Sequence, residues 1–204
     1  MQGTLFCQPF SLRLMRHLLP AFLLACLPLW GHAQSILPDD PIELFTFMLD
    51  FRTTLSQVIE AYPQQFRSIR PAQGTYRDGN LEYTTTACLP QGLSCSVSKN
   101  GINHSLFSYY CVWYETESYS QALEALKVLE TLVHGGKYAC GPLVSDVIDK
   151  PGTYQPKTLF WLPYQAPAAY QHLSIQLYIR KIPRLLDPTP NPHYYTVTLK
   201  VTSL

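Results

Sequence analysis

The cysteines are the residues whose chemistry is easiest to read from the sequence. Beyond the first 33 residues the chain has four of them: Cys88, Cys95, Cys111 and Cys140. Four thiols in an oxidising compartment allow three disulfide pairings, and sequence alone does not choose among them. We favour a small loop closed by Cys88–Cys95, with Cys111–Cys140 as a second bridge. The Cys88–Cys95 spacing is too long for a zinc knuckle and no paired histidines follow, so we expect no metal site.

The histidines of this region stand apart from one another in the sequence: His104, His134, His172 and His193. His134 falls in the last turn of a predicted helix, where a cation suits the helix dipole. His104 and His172 border predicted strands and are interpreted as surface residues. His193 follows a proline-rich segment, and it is the only one of the four whose position suggests a role in recognition.

Motifs for catalysis or nucleotide binding are not apparent. A Gly-x-Ser-x-Gly nucleophile elbow does not occur, and Gly135-Gly136 closes a predicted helix instead of opening one around a phosphate. Glycosidase chemistry needs two facing carboxylates. Three acidic residues lie on or beside predicted strands, but nothing in their spacing positions a pair: Glu82, Glu115 and Glu117. We therefore expect a chain that is not an enzyme and has no cofactor.

Aromatic residues are concentrated between positions 107 and 119. Alternation along a strand would place Phe107, Tyr109, Cys111 and Trp113 on one face and Tyr110, Val112 and Tyr114 on the other. One interpretation is core packing on one side and amphipathic tyrosine packing on the other. The alternative is a platform for a protein, peptide or glycan, because Tyr and Trp rings give large contact areas with a polar handle. The candidate binding residues are Tyr109, Tyr110, Trp113, Tyr114, Tyr178 and His193.

The N-terminus has the pattern of a secretory signal peptide. Arg13 and Arg16 precede an apolar run over 18–29, which is too short to span a bilayer as a helix. Small residues at 31 and 33 predict removal of residues 1–33 by cleavage before Gln34. Initiation at Met15 would give a more ordinary signal peptide, so the true start is open. An alternative is a lipoprotein acylated at Cys26, which the continuation of the apolar run disfavours.

The remaining residues, 34–204, are expected to form a single exported domain, periplasmic or extracellular and of bacterial type. The whole chain has 15 basic and 14 acidic residues. This near-neutral balance lacks the basic surface of a nucleic-acid-binding protein. No later segment has the 18 continuous apolar residues of a transmembrane helix.

Two helices are predicted from their start signals. Asp40 is an N-cap before Pro41, with Glu43 in the capping-box position, and Pro63 ends this helix. Its apolar stripe is widened by Phe45, Phe47 and Leu49, so we expect it to be heavily buried. The second helix begins after Ser118, with Gln121 in the capping-box position. Its apolar stripe contains Ala122, Ala125, Leu126, Leu129, Leu132 and Val133.

The rest of the chain has the two-residue period of strands. Strands are predicted over 81–88, 93–98, 102–114, 157–162, 173–180 and 195–202, with a tight turn at Asn100-Gly101. The predicted fold is therefore α+β, a mainly antiparallel sheet with two helices packed on one face. The order suggests two fused α-β-β-β units, which would be a pseudo-duplication. The proline-rich connection over 183–193 is longer than a hairpin needs and is a candidate contact loop.

The leading functional hypothesis is an exported, non-enzymatic binding module that contacts a protein partner in the cell envelope or outside the cell. Two alternatives remain open at this stage. One is a hydrolase whose site is assembled from residues distant in sequence, and the other is a structural subunit of the envelope. A pocket with convergent polar groups would favour the first, and a large apolar oligomer patch the second.

Overall fold

The computed structural model of the chain describes residues 36–77, 79–99, 106–147, 157–163, 165–183 and 193–203. Several features predicted above lie outside these residues: the signal peptide, Gln34, Cys26, the turn at Asn100-Gly101, His104 and positions 184–192 of the proline-rich connection. The described helices are α1 (Pro41–Ala61) and α2 (Tyr119–His134). Neither of these helices is long and apolar enough to cross a bilayer.

Helix α1 starts where its capping residue predicts. The Asp40 side chain accepts hydrogen bonds from the backbone N–H groups of Ile42 (2.8 Å) and Glu43 (3.1 Å). Two of the first-turn donors that lack an intrahelical partner are satisfied in this way. At the other end, the α-helix stops at Ala61 and continues as one 3₁₀ turn, Tyr62–Gln64, which contains Pro63.

Replacing Asp40 by alanine tests this cap. The Asp40→Ala variant is expected to lose about 1 kcal/mol of unfolding free energy, because two backbone donors lose their acceptor. Urea unfolding followed by circular dichroism measures the change. The neighbouring exposed Asp39 makes neither of these bonds, so Asp39→Ala is the matched control. Equal losses in the two variants would contradict the assignment of the cap.

Helix α2 also begins at its predicted cap, with the backbone N–H of Gln121 donating to the Ser118 hydroxyl at 3.5 Å. The Gln121 side chain does not return to the cap directly. Its carbonyl oxygen accepts from the Thr116 hydroxyl at 2.6 Å, and that hydroxyl accepts from the Ser118 backbone at 3.1 Å. All six residues of the predicted apolar stripe are buried.

The glycines that end α2 have a different role from the left-handed cap that their type suggests. Gly135 has φ −77°, which any residue adopts. A Cβ atom at Gly135 would meet the Arg52 guanidinium, and one at Gly136 would meet the Tyr138 ring. A side chain at Gly135 would have to displace the end of the flexible Arg52 side chain, whereas one at Gly136 would meet the buried Tyr138 ring, so the lack of a side chain matters chiefly at Gly136. The Tyr138 hydroxyl donates to the Val133 carbonyl at 2.9 Å and so satisfies one acceptor at the helix end.

Eight strands form one antiparallel sheet among the described residues, in the order β1-β2-β3-β4-β8-β7-β6-β5. The strands are β1 (Thr75–Arg77), β2 (Asn80–Thr84), β3 (Ser94–Lys99), β4 (Phe107–Thr116), β5 (Leu143–Val147), β6 (Lys157–Pro163), β7 (Leu173–Pro183) and β8 (His193–Ser203). Each helix precedes a four-stranded meander, and the two meanders join where β4 pairs with β8. The α+β prediction is confirmed, with one more strand per unit than expected. The two added strands, β1 and β5, are the sheet edges.

Both helices pack on one face of this sheet. Phe51 of α1 meets Trp113 of β4 edge to face at 6.5 Å between ring centroids. Helix α2 lies against β4, β7 and β8. Alternate residues of the two long central strands are buried beneath the helices: Leu173, Ile175, Leu177 and Ile179 from β7, and Val197, Leu199 and Val201 from β8. We call this side the helix face and the opposite side the open face.

Candidate functional site

Two of the aromatic residues predicted to bind a partner lie in the core. Tyr109 and Trp113 are 0 % and 2 % exposed on the helix face. The Tyr109 hydroxyl donates to the Ala87 carbonyl at 3.0 Å, and the Trp113 indole N–H donates to the Pro90 carbonyl at 3.0 Å. Both rings therefore hold the loop before β3 against β4, and neither ring is available at the surface.

A β-bulge changes the face on which Tyr114 lies. The register of β4 against β8 shifts between Val112, which is opposite Thr198, and Tyr114, which is opposite Val197. Because paired residues share a face, Tyr114 packs half-buried against the core instead of beside Tyr110. Strict alternation predicted the opposite, and the extra residue of the bulge is the reason for the difference.

Tyr110 and Tyr178 are brought together on the open face. The Lys200 ammonium lies 5.2 Å from the centroid of the Tyr110 ring. Burial is the main cause that raises the pKa of Tyr178 to about 12, and neighbouring Tyr110 adds to it. Small polar side chains around them are buried: Ser108, Ser174, Thr196, Thr198 and Thr202. Ser108 and Thr202 share a 2.7 Å hydrogen bond across the β4–β8 pair.

His193 lies away from that pair, as the first residue of β8. Its Nε2 is 3.2 Å from the Tyr195 hydroxyl, and its ring meets the Tyr195 ring edge to face at 5.3 Å. Tyr195 in turn packs against Tyr119 of α2, with 5.3 Å between centroids. The six predicted binding residues are thus divided among the core, the open face and the beginning of β8. They do not form one site.

Three of the four cysteines lie close together, in an arrangement that the sequence predicts only in part. The Cys88–Cys95 disulfide is confirmed. The predicted Cys111–Cys140 bridge is not formed, and both residues are buried free thiols. Cys111 instead lies directly opposite Cys95 in the β3–β4 ladder, with 3.0 Å between the two sulfur atoms. Burial raises the pKa of Cys140 to about 11 and that of Cys111 to about 12.

The loop that carries Cys88 is shaped by a tight turn. The Gly92 N–H donates to the Leu89 carbonyl at 2.8 Å, with Pro90 second in the turn and Gln91 at φ 61°. A Cβ atom at Gly92 would lie 2.8 Å from the Cys111 sulfur and 3.1 Å from the Cys88 sulfur. Glycine is needed here because the backbone runs directly against the sulfur atoms. The turn, the disulfide and β4 therefore form one packed unit.

An apolar surface on α1 is the feature that sequence reasoning missed. Ile42, Phe45 and Leu49 are 76 %, 69 % and 55 % exposed. The prediction that Phe45 and Leu49 are buried is therefore wrong, whereas Phe47 is in the core as expected. At 3.6 residues per turn the three exposed side chains fall within an arc of about 60°. We call Ile42, Phe45 and Leu49 the α1 patch.

An open cleft of about 630 Å³ lies over the first three strands. Its charged lining residues are Arg77 and Glu82, and the others are mainly Thr, Ser and Tyr. Because its lining contains a single carboxylate, this cleft does not supply the facing pair that a glycosidase uses. None of the groups whose pKa is raised by burial lines it.

The chain matches no protein-family model, and comparisons with curated proteins and with solved structures find no similar chain.

Proposed function

We propose that this chain is an exported, non-enzymatic binding module that docks the N-terminal half of α1 into a groove of a partner protein. The α1 patch carries the proposal. Surface apolar residues scattered singly are ordinary, but three large ones on one helix face are typical of a helix-in-groove contact, which uses anchors at i, i+3 and i+7. Ile42, Phe45 and Leu49 have this spacing.

The charges around the patch indicate what the partner presents. Four exposed acidic residues border or follow it: Asp39, Asp40, Glu43 and Asp50. No lysine or arginine occurs between positions 36 and 51. We therefore propose that the partner presents an apolar groove with a basic rim, and that the α1 patch docks into this groove. Complementary rim charges chiefly raise the association rate, so binding should weaken as salt increases.

Export is supported by the cysteine chemistry. The Cys88–Cys95 disulfide would persist in the periplasm or outside the cell, where thiols are not kept reduced. The N-terminal signal pattern points to the same compartments. The partner is accordingly sought in the cell envelope or outside the cell. The α1 patch replaces the aromatic strand as the proposed contact, because Tyr109 and Trp113 are enclosed by the loop that they hold.

The test compares two double variants of the tagged exported domain in quantitative capture from the native envelope fraction. Phe45→Ser with Leu49→Ser removes the patch anchors, whereas Tyr76→Ser with Leu93→Ser removes exposed apolar side chains elsewhere. We expect the patch variant to retain at most about one tenth of the captured partner, a loss of roughly 1.4 kcal/mol or more. The control variant should capture as much partner as the unaltered chain.

Three results would overturn the proposal: equal capture by both variants, no specifically captured protein, or a captured species that is a second copy of this chain. Sedimentation at several concentrations identifies the last result. A self-association that Phe45→Ser abolishes would assign the patch to a homodimer instead. Thermal unfolding of each variant verifies that the domain is folded.

A further inference from the structure

Three sulfur atoms lie together at the join between β3 and β4. Those of Cys88, Cys95 and Cys111 are all within 4.8 Å of one another. Cys95 is bonded to Cys88, while the Cys111 sulfur lies 3.0 Å from the Cys95 sulfur. Cys88 is exposed, Cys95 is half-buried and Cys111 is buried. The cluster therefore runs from the surface into the core, with Cys95 between the other two cysteines.

A bridge between Cys95 and Cys111 is compatible with the backbone. The two residues are direct partners in an antiparallel ladder. Such partners have Cα atoms about 4.5–5.5 Å apart, within the range of about 4.4–6.8 Å that disulfides span. Because the three sulfur atoms are already so close, a change from the Cys88–Cys95 bond to a Cys95–Cys111 bond needs rotations of the side chains and no movement of the strands.

We propose that Cys88, Cys95 and Cys111 form an internal disulfide-exchange site that releases the Cys88 thiol at the surface. The Cys111 thiol gives its proton to a solvent base, and the thiolate attacks the Cys95 sulfur. The Cys95–Cys111 bond forms as the Cys88–Cys95 bond breaks. Cys88 leaves as a thiolate and takes a proton from solvent, so the step is redox-neutral and needs no external oxidant or reductant.

The surroundings of Cys111 keep this exchange slow at neutral pH. Burial raises the pKa of the Cys111 thiol to about 12, although hydrogen bonds from the Leu89 backbone and the Tyr109 side chain lower it in part. Among the described residues, Tyr109 is the titratable side chain that acts on Cys111, and the two bridged cysteines beside it do not titrate. Below that pKa the thiolate fraction rises about tenfold for each pH unit, and the exchange rate should rise with it.

The exchange is tested by alkylating the folded exported domain with iodoacetamide at pH 7 and at pH 9. We expect the rate of Cys88 labelling to rise by about 100-fold in total from pH 7 to pH 9, because attack by the Cys111 thiolate, and not the alkylation that follows it, limits the rate. Mass spectrometry of a non-reducing digest should find a Cys95–Cys111 bridge in the labelled molecules. Cys140→Ser, which removes the other buried thiol, should leave both results unchanged.

Removing Cys111 distinguishes exchange from simple opening of the disulfide. In Cys111→Ser, and in Cys111→Ala as a second variant, Cys88 should remain unlabelled at pH 9 while circular dichroism verifies the fold. The proposal is overturned if Cys88 is labelled equally without Cys111, or if Cys111 itself is alkylated while Cys88–Cys95 stays intact. Failure of Cys88 to react at pH 9 in the unaltered chain would also overturn it. None of these results depends on the partner proposed for α1.

Discussion

Replacing Trp113 with alanine is expected to lower the free energy of unfolding by about 3–5 kcal/mol, which is typical of a buried Trp-to-Ala change. The side chain is 2 % exposed and packs edge to face on Phe51 of α1. It also donates the hydrogen bond that holds Pro90, so the variant loses core volume and leaves a loop carbonyl without its donor. Denaturant unfolding at constant pH measures the loss.

Tyr110→Ala is the matched control for this change. Tyr110 is only three residues away on the same strand, but it is half-buried and lies on the open face. It should lose clearly less stability than Trp113→Ala. Similar losses in the two variants would contradict the assignment of faces. Because Trp113→Ala is expected to weaken the fold, a loss of partner binding in that variant would not show that the partner contacts Trp113.

The second large effect is a difference in unfolding free energy between the alanine variants of two phenylalanines of α1, Phe51 and Phe45. Phe51→Ala should cost about 3–5 kcal/mol of unfolding free energy, because Phe51 is 0 % exposed and touches Phe47 and Trp113. Phe45→Ala should cost about 0.5 kcal/mol or less, since its side chain is largely in solvent. The same unfolding measurement checks both variants, and a cost above 2 kcal/mol for Phe45→Ala would show that the α1 patch is part of the core.

A double-mutant cycle refines this second prediction. Phe51 and Trp113 are in contact, so their alanine substitutions should not be additive. The coupling expected for an edge-to-face aromatic pair is about 0.5–1.5 kcal/mol. Additive losses would mean that the two rings stabilise the fold through separate contacts. Phe45 and Trp113, for which no ring contact is found, provide the additive reference pair.

Local signals predicted much of the fold from the sequence. Asp40 and Ser118 act as N-caps because their oxygens accept from the first-turn N–H groups, which requires no knowledge of distant contacts. The alternation of apolar and polar residues in β7 and β8 likewise predicts which residues lie on the helix face, although residues on both faces of these strands are buried. The Cys88–Cys95 loop could be predicted because its two ends are close in sequence.

The remaining features depend on contacts that sequence periodicity does not encode. Helix α1 is apolar on more than one side, so periodicity does not tell which stripe meets the sheet, and it wrongly predicts that Phe45 lies in the core. The register shift between Val112 and Tyr114 inserts one residue that no alternation pattern reveals. The register of β3 and β4 places Cys111 opposite Cys95, and Cys111 does not form the disulfide predicted with Cys140.

The edge strands were missed for a related reason. Strands β1 and β5 each pair on one side only, and β1 is exposed along its whole length. An edge strand of three residues such as Thr75–Arg77 shows too short a pattern for alternation to be recognised. The short Leu143–Val147 strand at the opposite edge was missed as well.

Photo-crosslinking from the α1 patch is the most direct test of the proposed binding function. A photoreactive amino acid is placed at Phe45 in one variant and at Tyr76, which is similarly exposed on β1, in another. We expect irradiation of the native envelope fraction to give one stoichiometric covalent adduct from position 45, with crosslinks to apolar residues flanked by lysine or arginine. Position 76 should give none. The same adduct from both positions, or none from position 45, would contradict a binding module that uses α1.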